Sequence, residues 1–467
     1  MSDPLSVLDR RPQPGEPREY DFPDFERSTL DNGLTIVRCH VPGRPLLQAQ
    51  LIVRGDAGGG ATSEEPALAG ATMLTARAMS EGTTERDAVA FIEAAERLGA
   101  EMGAGAGWDS LTAHVEVPRT HLPAAMALFA EMALRPAFPE REVERLRDER
   151  LNDLQQVMAD ARRRAEKAFP AVIYTDDAAY ARPLGGVEET VKPIDRDVLA
   201  ARHEALMRPQ ASTLIVCGDI EDLAVDDIAA AAFGAWTAEG DGPATPTAPD
   251  EAGEGRKVVL VDRPGAPQSE IRVGHVGTAR RIDDFHALSV TNALLGGLFN
   301  SRLNMLLREE RGYTYGVNSG FDRRRAAGPF AVRCAVESEV TAPAVEDIMA
   351  ELSRIASDPV LDDELDAARD YLIGVFPLRF ETSAQVAGAL SGLVVHGLPD
   401  DELDRYRPAV AAVVADDVRA AAAAHIDPER ASIVIVGDVS KFEEPLREAG
   451  YGEVEVVHDD GFGATSE

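Results

Sequence analysis

A repeat with a fixed offset constrains this chain more than any other feature. Pro209 and Pro428, Gly218 and Gly437, and Asp219 and Asp438 are each 219 residues apart, around the apolar runs Leu214–Cys217 and Val434–Val436. Earlier in each half, a β-like run leads into a Pro-Gly-x-Pro turn. Leu34–Val37 precedes Pro42-Gly43-Arg44-Pro45, and Val258–Val261 precedes Pro264-Gly265-Ala266-Pro267, an offset of 222. A period this long means two copies of a whole domain, because solenoid units run about 20–50 residues. Between the copies, 238–256 is rich in Gly, Pro, Ala, Thr and acids, lacks apolar periodicity and reads as a linker. The expected organisation is a mobile extension over 1–20, a first domain over 21–237, the linker, a second domain over 257–456 and a tail over 457–467.

Each copy mixes strands and helices. Leu111, Ala113, Val115 and Val117 alternate with polar residues, as do Phe330, Val332, Cys334 and Val336, which is the pattern of a strand covered on one face. Amphipathic stretches near 85–99, 119–135, 139–170, 340–357 and 361–388 read as helices. Strands and helices without strict βαβ alternation predict an α+β fold, with helices on one face of a largely antiparallel sheet.

Composition excludes several functions. Lys and Arg number 47 against 81 Asp and Glu, a net charge of −34 that repels phosphate backbones and anionic membranes. That charge reads either as a solubility device or as a field drawing basic peptides into a cavity. No apolar run reaches the roughly 18 residues needed to span a bilayer. The start, Met1-Ser2-Asp3-Pro4, shows no basic region followed by an apolar stretch, so a cytoplasmic location is expected. Cys39, Cys217 and Cys334 are far apart in sequence and form no C-x-x-C pair, which supports neither a disulfide scaffold nor a cysteine zinc site. No two histidines are three to five residues apart, so a self-contained helical zinc site is absent. Gly103-Ala104-Gly105-Ala106-Gly107 lacks the Lys-Ser/Thr of a phosphate loop and reads as a turn into the 109–117 strand. Ser80 lacks the glycine elbow of a hydrolase serine.

The most informative stretch runs from Leu294 to Phe321. A helix carrying Leu303, Leu306 and Leu307 is expected to end at Arg311-Gly312, with Tyr313, Tyr315 and Val317 alternating as the next strand. Arg308 then stands at a helix end and Tyr315 early in a strand, from where both can project into one space. A guanidinium fork and a phenol suit a carbonyl or the oxyanion forming from it. The same residues also suit a solvated helix-end cation and a sheet aromatic.

At these residues the chain resembles the insulinase/pitrilysin family of zinc peptidases, in the short-chain branch that includes the mitochondrial processing peptidases. The resemblance spans roughly 26–450. It rests on Leu30-Asp31-Asn32-Gly33-Leu34, Ser80-Glu81-Gly82-Thr83, Tyr180-Ala181-Arg182-Pro183-Leu184-Gly185-Gly186, Asn300-Ser301-Arg302-Leu303 and Leu307–Tyr315. In the family an Arg and a Tyr seven residues apart bind and polarise the scissile carbonyl, and Arg308 and Tyr315 keep that spacing. The family's H-x-x-E-H motif aligns with Met73, Ala76 and Arg77, none of which is a zinc ligand or a general base, and its later ligand Glu falls near Gln155-Gln156. The resemblance therefore implies two duplicated α+β domains joined by a linker into a clam shell, with no metal in this chain. It implies a non-zinc subunit that supplies Arg308 and Tyr315 while a zinc-bearing partner of the same family holds H-x-x-E-H, the two closing on a peptide substrate. Catalytically inactive structural and peptide-binding roles are the alternatives within the same family.

Overall fold

The computed structural model describes Gly15, residues 18–238 and residues 255–458, so most of the expected extension, linker and tail lie outside the described residues. Two six-stranded mixed sheets organise the chain. The first holds β1 (Phe25–Thr29), β2 (Thr35–His40), β3 (Leu46–Arg54), β4 (Glu101–Ala106), β5 (Ser110–Pro118) and β6 (Ser212–Gly218) in the order β1-β2-β6-β3-β5-β4. The second holds β7 (Lys257–Asp262), β8 (Gln268–Val276), β9 (Val317–Phe321), β10 (Pro329–Glu337), β11 (Ser432–Gly437) and β12 (Glu453–His458) in the order β12-β7-β11-β8-β10-β9. Five strands match one to one: β2 with β7, β3 with β8, β4 with β9, β5 with β10 and β6 with β11. The sixth breaks the symmetry, since β1 pairs antiparallel with β2 whereas β12 pairs parallel with β7.

The α+β reading with two duplicated domains holds. On β5 the residues Leu111, Ala113, Val115 and Val117 are buried in the first core, and on β10 Phe330, Val332, Cys334 and Val336 are buried in the second, as the alternation predicts. Two expected helices are broken. The 139–170 stretch forms Glu140–Ala159 and Ala161–Ile173, interrupted at Asp160, whose side chain accepts the Arg163 N–H as an N-cap. The 361–388 stretch becomes Asp362–Val375 and Ser383–His396, the second opened by a Thr382/Gln385 capping box.

The outer face of each sheet is covered from the opposite half. The Ser383–His396 helix lays Val386, Ala387, Leu390 and Leu393 on Val37, Cys39, Ile52, Ile215 and Cys217 of the first sheet. Reciprocally, the Ala161–Ile173 helix lays Phe169 and Ile173 on Val259, Val276, Ala331 and Val434 of the second. This cover on both faces explains why β6 and β11 are buried at every position and read as unbroken apolar runs. Polar ties follow the same crossing. Tyr174 Oη donates to Ala327 O at 2.7 Å, and Ser383 Oγ donates to Leu46 O at 2.9 Å. Asp109 joins the halves by accepting from Tyr180 Oη and Arg325 N, each at 2.9 Å. Strand pairing within the first sheet also brings together residues that sequence distance separates: Cys39 and Cys217 stand opposite each other on β2 and β6, both as buried free thiols.

Candidate functional site

The Arg308/Tyr315 segment is built from an irregular helix. Arg302–Asn304 makes one α-helical turn, and Met305–Glu310 continues in the wider π form. It stops at Gly312, whose φ of 67° is left-handed and open to glycine at little cost. The expected strand does not begin at Tyr313. Thr314 Oγ1 accepts the Gly316 N–H at 3.1 Å and donates to Gly316 O at 2.9 Å, and this local turn competes with the ladder, so β9 starts only at Val317. Tyr315 thus lies in a loop rather than in a strand.

Its side chain is 97% exposed. It lines a cleft of about 610 Å³ together with Phe299, Asn318, Arg333, Arg272 and Glu166. Arg308 sits beside the same cleft, its guanidinium 4.1 Å from the centre of the Phe299 ring, a cation–π contact. Arg308 Nη1 approaches Glu309 Oε1 at 3.3 Å yet is buried without a hydrogen bond. Phe299, which lines the cleft together with Tyr315, thus carries the Arg308 guanidinium on its ring.

One positioning residue escaped the sequence reading. The buried Asn304 side chain donates to Val317 O at 2.8 Å and Leu298 O at 3.1 Å, and its Oδ1 accepts the Val317 N–H at 3.1 Å. It fastens the start of the Arg308 helix to the first residue of β9, which sets the reach between Arg308 and Tyr315. Its place directly after Asn300-Ser301-Arg302-Leu303 is the only sequence signal, and an asparagine inside a helix is ordinarily read as neutral.

The Met73/Ala76/Arg77 positions lie on the Ala71–Ala78 helix. Ala76 is fully buried, Met73 is half-buried and Arg77 faces out. Arg77 Nη2 lies 3.2 Å from Glu149 Oε2, and Glu149 also takes Arg145, which in turn reaches Glu81 and Glu142. These three carboxylates hold the Arg145 pKa above its ordinary value, the Glu142 hydrogen bond contributing most. Gln155 and Gln156 lie further along the Glu140–Ala159 helix, and the residue that meets Arg77 is Glu149. A thioether, a methyl and a guanidinium locked to a carboxylate do not fit zinc. Among the described residues no three His, Cys, Asp or Glu side chains converge as a metal site.

Comparisons with known proteins agree with this architecture. Residues 54–185 match the family model described as insulinase (peptidase family M16), and residues 193–372 match the model of the peptidase M16 inactive domain. The chain belongs to the insulinase family. An uncharacterized zinc protease of Streptomyces coelicolor is 26% identical over 429 residues, covering 90% of this chain and 91% of its own. A non-peptidase homolog of Helicobacter pylori is 23% identical over 352 residues, covering 73% of this chain and 78% of its own. Among solved structures, a peptidase M16 inactive domain from Pseudomonas fluorescens superposes with a TM-score of 0.80 at 24% identity, covering 89% of this chain and 98% of that one. A protease from Helicobacter pylori reaches 0.81 at 18% identity, covering 89% and 100%. These two likenesses bear on the fold alone. No helix among the described residues is long and apolar enough to cross a membrane.

Proposed function

We propose that this chain is the zinc-free subunit of a heteromeric, cytoplasmic zinc metallopeptidase. It binds a peptide and presents Arg308 and Tyr315 to the scissile carbonyl, while a partner chain of the same family carries H-x-x-E-H and the metal that supplies the attacking water. The observation that carries this reading is the exposed Tyr315 at a cleft whose lining residue Phe299 also carries the Arg308 guanidinium on its ring. A guanidinium and a phenol aimed at one carbonyl stabilise the negative charge that develops on its oxygen, and they require no proton exchange to do so. The edge of the first sheet suits an extended substrate. β4 ends that sheet and leaves one side of its backbone ladder open for an added strand, whereas on β9 the outward N–H and C=O of Val317 are both taken by Asn304.

The test has two parts. Native pull-down of the tagged chain is expected to recover a near-stoichiometric relative of similar length bearing H-x-x-E-H. In the assembled enzyme, Arg308→Ala is expected to lower turnover by about a hundredfold, the loss typical of one oxyanion donor. Full activity of that variant would sink the proposed role.

A second reading, a peptide-binding protein without catalysis, draws on the Helicobacter pylori relative described as a non-peptidase homolog. Recovery of the chain alone, with peptide still binding, would favour it.

A further inference from the structure

The outer face of the second sheet carries two arginines side by side. Arg272 on β8 and Arg333 on β10 are direct cross-strand partners, and Asn318 on the edge strand β9 continues the row beyond Arg333. On the other side the row runs through Val434 to Val259, where the Ala161–Ile173 helix covers it. Like charges directly opposite on neighbouring strands repel. Glu166 Oε1 relieves part of this repulsion at 3.1 Å from Arg272 and 3.6 Å from Arg333, as does Glu270 at 3.0 Å from Arg272. Arg272 is 1% exposed and saturated. Arg333 remains partly open, and Arg162 also lines the cleft. Three arginines against two glutamates make that wall net +1, in a chain whose total charge is −34.

The duplication supplies an internal control. The corresponding row in the first sheet reads Gly103, His114, Gln50, Ile215 and Val37 across β4, β5, β3, β6 and β2. The two apolar positions are kept under the crossing helix, while the positions of Arg333 and Arg272 hold His114 and Gln50. The fold therefore does not require the arginine pair, and its electrostatic cost calls for another use.

We propose that this cleft is a subsite for an acidic side chain of a bound peptide, a proposal that rests on the reading of Tyr315 as a substrate-facing residue. Tyr315 lines the same cleft, so a peptide held at its phenol can direct a side chain toward Arg333, and a guanidinium fork matches a carboxylate. The preference is opposite to the one that the chain's overall charge suggests, because the local field at the cleft is set by its nearest charges.

Fluorescence anisotropy with the full-length chain tests this. The probes are fluorescein-labelled, C-terminally amidated extended peptides identical except for Glu, Gln or Lys at one central position. The Glu peptide is expected to bind roughly tenfold more tightly than the Gln peptide, with the Lys peptide weakest, a margin typical of a charge-assisted contact. Arg162→Glu, on the exposed helix surface, and Arg333→Gln, checked for folding by thermal melting, are each expected to erase the preference. Equal binding of all three peptides overturns the subsite and leaves the peptide-binding reading standing. Absence of binding by any peptide overturns both.

Discussion

Asn304 shows how one buried amide sets the geometry of a site. It makes hydrogen bonds to Leu298 and Val317 on both sides of the Arg308 turn, and all of them are lost if the amide is removed. Asn304→Ala is expected to cost about 1–3 kcal/mol, read as a lower urea midpoint. It should also weaken peptide binding more than that stability loss explains, because Arg308 and Tyr315 lose their common anchor. A second residue-scale effect concerns His396, whose pKa burial pushes down to about 4. The unfolded histidine titrates near 6.5, so between those values the unfolded chain holds a proton that the folded chain refuses. The His396 contribution is therefore intact above about pH 6.5, is lost as pH falls toward 4 and levels off below, for a total of about 3 kcal/mol. Urea melts from pH 4 to 7.5 are expected to show a shallower acid limb for His396→Gln than for the parent chain; identical limbs would refute the assignment.

At the scale of elements, the crossing helices decide most. Leu390 is 1% exposed and lies against the first sheet although it belongs to the second half of the chain. Leu390→Ala is expected to cost about 2–5 kcal/mol. Amide exchange should speed up in β3 and β6 together with the Ser383–His396 helix, rather than in the second half alone. The sequence made such elements legible but not their partners. The alternation of Leu111 to Val117 reads directly as β5, and the Gly312 stop stands where the glycine predicts. The amphipathic pattern, however, runs through Asp160 without a break, because polarity reports which face is wet and not where a side chain caps a new helix. Nor does an apolar helix face say whose sheet it covers, and the same limit hid the pairing of Cys39 with Cys217, which depends on β2 lying beside β6. At the site, the spacing of Arg308 and Tyr315 was readable. Asn304 and the Arg272/Arg333 pair were not, since both rest on strand register.

For the whole molecule, the duplication and the exchange together make one folding unit from two sheets. Separately produced 18–238 and 255–458 fragments each lack the helix that covers an outer sheet face. Each is expected to be aggregation-prone alone, and the two are expected to assemble into a soluble 1:1 complex when co-expressed. Size-exclusion chromatography with circular dichroism decides the matter, and a well-folded single fragment would contradict it.

The same exchange has a mechanical meaning. Two lobes that each clasp the other's back cannot swing apart about their connecting segment without stripping a helix from a sheet. The chain is a single rigid jaw. In the heteromer proposed above, the gape that admits a peptide, and the bite that follows, belong to the seam between two such jaws.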